Sequence, residues 1–130
     1  DDVLNGGNGD DFLEGNVGRG TFRGGDGGDV FDFNAISHSS PVANRDVITD
    51  FTAAQGDLIN LATIDADTTV AGNQAFAFIG GAAFSAAGQA RFVTAGGDGF
   101  LTVDVNGDGS SDMTIELSNV TSLTLGDFVL

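Results

Sequence analysis

The chain has 130 residues, 19 acidic against 4 basic side chains, a net charge of −15 and no cysteine. Such a balance excludes nucleic acid and insertion into an anionic membrane, because phosphate would be repelled, and it makes a metal cation the natural partner. A hydrophobic fraction of 41% with 11 phenylalanines argues for a packed core rather than disorder, and without cysteine a secreted domain of this size needs a staple other than disulfides.

Residues 1–33 repeat every nine positions. From Gly6 the chain reads GGNGDDFLE, GNVGRGTFR and GGDGGDVFD, with the partial unit DDVLN in front. Aspartate recurs at Asp2, Asp11 and Asp29, with Gly20 in the remaining slot. A large apolar residue follows two places later at Leu4, Leu13, Phe22 and Phe31. A period this strict marks a stacked repeat. The chain starts in mid-unit, so it is expected to be a piece of a longer protein.

Glycines at the first, second and fourth positions of a unit allow tight left-handed turns. The last three positions alternate like a very short strand. Turn and strand in alternation wind into a flat coil with two strands per turn, so residues two units apart stack. Asp11 and Asp29 then share one edge, and Asp2 and Gly20 the other. Carboxylates stacked about 4.8 Å apart repel by about 3 kcal/mol at an effective dielectric near 20. A hard dication between them reverses the sign, and calcium takes six to eight carboxylate and carbonyl oxygens. One calcium site is expected between two turns. Its candidate ligands are Gly6, Gly7, Asn8, Gly9 and Asp11 from the first turn and Gly24, Gly25, Asp26, Gly27 and Asp29 from the second. Asp2 marks the other edge, where Arg19, beside the missing acid, is expected to replace an ion in part.

GGNGDDFLE and GGDGGDVFD resemble the GGxGxDxUx nonapeptide of RTX proteins. That resemblance implies a calcium-loaded parallel β-roll; GNVGRGTFR departs from the pattern.

Beyond Asn34 the repeat is lost. Residues 35–44, with the only proline, read as a loop, 46–51 and 57–61 as strands, and 64–66 as one helical turn. Residues 75–79, 89–94, 99–105 and 113–117 alternate as strands, punctuated by Gly80-Gly81, Gly96-Gly97 and Asn106-Gly107-Asp108-Gly109; the last reads as a hairpin turn. The expected fold is all-β: a short parallel β-roll over 1–33, capped by an antiparallel, sandwich-like region over 34–130 that covers the open end of the roll. In the 104–112 segment, Asp104, Asn106, Asp108 and Asp112 have EF-hand-like spacing without the closing acid. A metal loop and a plain hairpin both remain open there.

The run GGDGGDVFDF, DVITDF, GDLINL, IDAD, NQAFAFIG, AGQARF, DVNGDGSSDMTIEL and LGDFVL is similar, in that order, to the C-terminal domain of the serralysins, zinc proteases of the M10 group exported by type I secretion. The resemblance implies that Asp46 helps close the last calcium site. It places a second ligand near Asn34–Ala35, where Ala35 has no side chain to offer. It also implies a bacterial, extracellular protein, an upstream protease domain carrying the zinc, contact with the type I secretion apparatus, and an export signal ending in Asp127-Phe-Val-Leu130. A buried edge strand is the other reading of that tail. The chain itself carries no HExxH helix, its single histidine, His38, lies in a loop, and the serines beside it lack a GxSxG elbow. No catalysis is expected of it. Similar rolls in alginate epimerases, lipases and adhesins are the alternative.

Overall fold

A computed structural model describes residues 1–130. The glycine turns and short alternating runs of the repeat become strands β1 (Asp2–Asn8), β2 (Phe12–Gly15), β3 (Gly20–Asp26) and β4 (Val30–Phe33). The chain continues through β5 (Asp46–Ile48), β6 (Leu58–Asn60), β7 (Ala77–Phe78), β8 (Gln89–Ala95), β9 (Asp98–Asp104), β10 (Met113–Leu117) and β11 (Phe128–Val129). The remaining regular elements are three single 3₁₀ turns, so no helix is long and apolar enough to cross a membrane.

Strands β1 to β6 alternate between two sheets, and β7 to β10 all join the larger one. The seven-stranded sheet has the order β1-β3-β5-β10-β9-β8-β7, and the four-stranded sheet β11-β6-β4-β2. The smaller sheet is parallel throughout. The larger is parallel across β1, β3, β5 and β10 and antiparallel across β10, β9 and β8. The coil therefore winds one further full turn, through β5 and β6, after the glycine repeat has ended.

The apolar position of each unit forms two facing columns. Leu4, Phe22, Ile48 and Leu117 are register partners in the larger sheet. Leu13, Phe31, Ile59 and Phe128 stack in the smaller. Phe22, Phe31, Ile48, Ile59 and Leu117 are almost fully buried. Phe22 meets Phe31 and Phe33 edge-on at ring separations of 6.5 and 5.8 Å. Each such burial is worth about 1.5–3 kcal/mol, so the columns hold the two sheets together.

Two expectations are corrected. The C-terminal strands do not form a separate antiparallel layer on the roll's end. They extend the roll's own sheet edge to edge, because β10 takes up the free backbone groups of β5 in a parallel ladder. The two-residue hairpin is Gly96-Gly97, whose φ values of 67° and 101° suit the twist of β8 and β9. Asn106–Gly109 also lies in a hairpin connection, as expected, within the wider loop that joins antiparallel β9 and β10. The hydrogen-bonded turn here spans residues 61–64, closed by Ile64 N–H to the Leu61 carbonyl, and residues 64–66 form no helix.

The two ends of the stack differ. At the far end Phe78 and Phe128, from the last strands of the two sheets, pack at 4.9 Å. At the near end β1 and β2 are edge strands, and Val3 and Phe12 are exposed.

Candidate metal centre

The two acidic turns stack in register, Gly7 on Gly25 and Asn8 on Asp26. Asp29 is fully buried, and its Oδ1 accepts the Asp11 N–H at 2.9 Å. The other carboxylate oxygen of each residue, Asp11 Oδ2 and Asp29 Oδ2, is buried without a hydrogen-bond partner. Each is folded back over the first glycine of its own turn. A Cβ on Gly6 would meet Asp11 Oδ2 and the Gly24 carbonyl oxygen at 2.6 Å each. A Cβ on Gly24 would overlap Asp29 Oδ2. The glycines thus leave a space into which an acidic oxygen and a carbonyl converge, and a buried anionic oxygen with no donor is costly unless a cation faces it. That donor set fits a hard cation. No three acidic or histidine side chains gather into a cage, so backbone carbonyls must supply most ligands of any ion held here.

On the other edge Asp2 is exposed and lies over Gly20, remote from Asp11 in the first turn. Gly20 has the Phe22 ring leaning into the room that a side chain would need. The acid missing from this position arrives from the next rung. Asp46 is fully buried, its Oδ1 accepts the Gly20 N–H at 2.5 Å, and its Oδ2 has no partner. Burial pushes its pKa up from 3.8 to about 6, against the opposing Gly20 hydrogen bond. Ser39 sets its backbone, accepting the Asp46 N–H at 2.7 Å while donating to the Thr114 carbonyl. Arg19 makes no ion pair; the structure's two are Arg23–Asp50 and Arg45–Glu116.

Two acids escaped the sequence reading. Asp57 repeats the role of Asp29 one rung on: its Oδ1 accepts the Asp29 N–H at 3.0 Å and its Oδ2 the Thr52 N–H at 2.7 Å. Burial raises its pKa, and the neighbouring charges of Asp29 and Asp50 add to the rise against those two hydrogen bonds. Asp50 accepts the Gly24 and Gly25 N–H groups at 3.0 and 3.1 Å. The signal was present in Gly56-Asp57-Leu-Ile59, which copies Gly28-Asp29-Val-Phe31, but a spacing of 28 residues broke the nine-residue count.

The 104–112 loop uses its acceptors internally. Asp104 is fully buried and receives the N–H groups of Asn106, Gly107 and Gly109. Asp112 receives the Val105 N–H and the Asn106 side-chain amide, and Asp108 the Ser110 N–H. Asn34, near the second ligand position suggested by resemblance, bridges Glu14 and Asp32 through its Nδ2.

A parallel coil with glycine-lined acidic turns defines a repeat-built β-roll. The family profile described as Peptidase M10 serralysin C terminal matches residues 2–130, and the chain belongs to that family. Its fold is similar to the solution structure of the AlgE6R3 subunit from the Azotobacter vinelandii mannuronan C5-epimerase, with 26% identity and a TM-score of 0.62 over 98% of this chain. The match spans 66% of that other chain. No curated protein matches the sequence.

Gly7 and Gly25 separate backbone strain from lost space. Both have positive φ, 111° and 108°, but a Cβ on Gly7 meets nothing within 4 Å, whereas one on Gly25 would overlap the Gly7 carbonyl oxygen. Gly7→Ala should cost about 1–2 kcal/mol, the strain alone. Gly25→Ala should cost clearly more, read from urea midpoints in calcium buffer.

Proposed function

We propose that this chain is the non-catalytic, calcium-binding C-terminal domain of a secreted, serralysin-like zinc metalloprotease, and that it couples extracellular calcium to folding. The observation that carries this reading is the pair of buried, partnerless oxygens, Asp11 Oδ2 and Asp29 Oδ2, over glycines that a side chain would displace. Asp11 and Asp29, with carbonyls of the 6–9 and 24–27 segments, would hold one ion, and Asp46 would serve the other edge. Bound calcium supplies positive charge that offsets their repulsion. The unfolded chain has no preformed site, so binding free energy becomes folding free energy. At roughly 1 mM calcium and a dissociation constant of about 10⁻⁴ M, this is about 1.4 kcal/mol per site.

In a calcium-poor cytosol the acidic turns repel and the chain stays loose enough for the type I secretion apparatus. Outside the cell it closes and offers the upstream protease domain a folded neighbour. In this reading residues 1–33 are the calcium-sensing roll, while 34–130 cap it and carry the export signal at Asp127–Leu130. That tail also folds: Phe128 is buried on β6, and a capping box joins Thr124 to Asp127. The likeness to the epimerase subunit favours a second reading, a calcium-binding module of another exported enzyme. An HExxHxxGxxH helix encoded upstream in the parent gene separates the two.

Circular dichroism checks the coupling: calcium should raise strand content and a chelator should reverse it, and identical spectra in both would defeat the proposal. A second check uses Asp46. Its raised pKa means that the neutral acid dominates below about 6. In the metal-free fold, the stability linked to that proton is present at low pH and lost as pH rises through about 6. A cation needs the ionised form, so affinity at this edge should be about tenfold weaker at pH 5 than at pH 7. Calorimetric titration should show this drop in the parent chain and not in Asp46→Asn.

A further inference from the structure

The sequence contains the asparagine–glycine pairs Asn5–Gly6, Asn8–Gly9 and Asn106–Gly107. Glycine leaves its amide nitrogen unshielded and its backbone free to swing, which makes such pairs prone to internal attack. The nitrogen of the glycine loses its proton and bonds to Cγ of the asparagine. The Cγ–Nδ2 bond breaks and ammonia leaves with that proton. Water then opens the cyclic imide at either carbonyl, giving aspartate or isoaspartate.

We propose that Asn8 and Asn106 are sites of spontaneous deamidation that the fold keeps closed by engaging the attacking nitrogen. At Asn106 every reacting group is tied down. The Gly107 N–H donates to Asp104 Oδ1 at 2.6 Å, Asn106 Oδ1 accepts the Asp108 N–H at 2.8 Å, and Asn106 Nδ2 donates to Asp112 Oδ1 at 2.9 Å. The residue is nevertheless exposed to water, so its protection is by restraint rather than by burial. At Asn8 only the nitrogen is held: the Gly9 N–H donates to the Asp26 carbonyl at 2.7 Å, and the exposed side chain makes no hydrogen bond. Asn5–Gly6 lies inside β1, held extended by its ladder with β3. This inference assigns the Asp104 loop a protective role and holds whichever ion the turns take.

The consequence at Asn8 is specific. Asn8 stacks on Asp26, so aspartate there places carboxylate beside carboxylate. Isoaspartate lengthens the backbone within a turn whose register with the next rung is fixed by glycines. Time spent unfolded would thus leave a permanent mark on the roll.

The test is peptide mapping by mass spectrometry of the full chain, incubated folded (as judged by circular dichroism) and in urea. Both residues should react in urea. In the folded protein both should be slower by about tenfold or more, the factor given by a local opening free energy of about 1.4 kcal/mol. Asp104→Ala should speed Asn106 toward its urea rate and leave Asn8 slow. Either residue reacting in the folded parent at the urea rate overturns the proposal. So does a folded Asp104→Ala variant in which Asn106 stays as slow as in the parent. If that variant does not fold, the comparison on the parent chain decides alone.

Discussion

Anionic oxygens packed where no protein donor reaches them are the constraint around which the roll is built. Asp11, Asp29 and Asp46 each bury one such oxygen. Each reaches its position because glycine vacates the space, or, at Gly20, because a neighbouring phenylalanine ring excludes any side chain there. Left bare, these groups oppose folding through desolvation and mutual repulsion. The same geometry becomes favourable when a cation supplies the missing partner. Stability in such an arrangement would depend on the solution as much as on the polypeptide.

Not every acid of the roll leaves an oxygen free. Asp57 and Asp50 use their oxygens on the N–H groups of Asp29, Thr52, Gly24 and Gly25. In the third turn of the coil these two acids are fastened by the protein's own hydrogen bonds, while Asp46 on the same turn keeps one acceptor free, as Asp11 and Asp29 do in the first two. Beyond it, β10 continues one sheet, β11 continues the other, and Phe78 meets Phe128 across the end. The Phe78–Phe128 pair covers the far end, whereas Val3 and Phe12 are exposed at β1 and β2.

Much of this was legible from residue order. The nine-residue period placed β1 to β4, the two apolar columns and the stacking of Asp11 under Asp29, because in a flat coil periodicity is geometry. Asp46 came from family resemblance, and the structure adds what it does: it reaches Gly20, the position where the acid was missing. Asp50 and Asp57 stayed hidden because a loop separates them from the repeat, and register across a loop is set by ladder pairing rather than by counting. Arg19 makes no ion pair, and the group that reaches Gly20 is Asp46 from the next rung. The cap was misjudged as a separate layer because alternation along a strand says which face is buried, but not which edge it joins.

The most direct measurement is a crystal structure of this chain grown in calcium, with anomalous scattering used to locate the ion. The account requires a calcium peak between the 6–11 and 24–29 turns, with Asp29 Oδ2 and backbone carbonyl oxygens at about 2.3–2.6 Å. A well-ordered roll with only water, or nothing, beside Asp11 Oδ2 and Asp29 Oδ2 would contradict it.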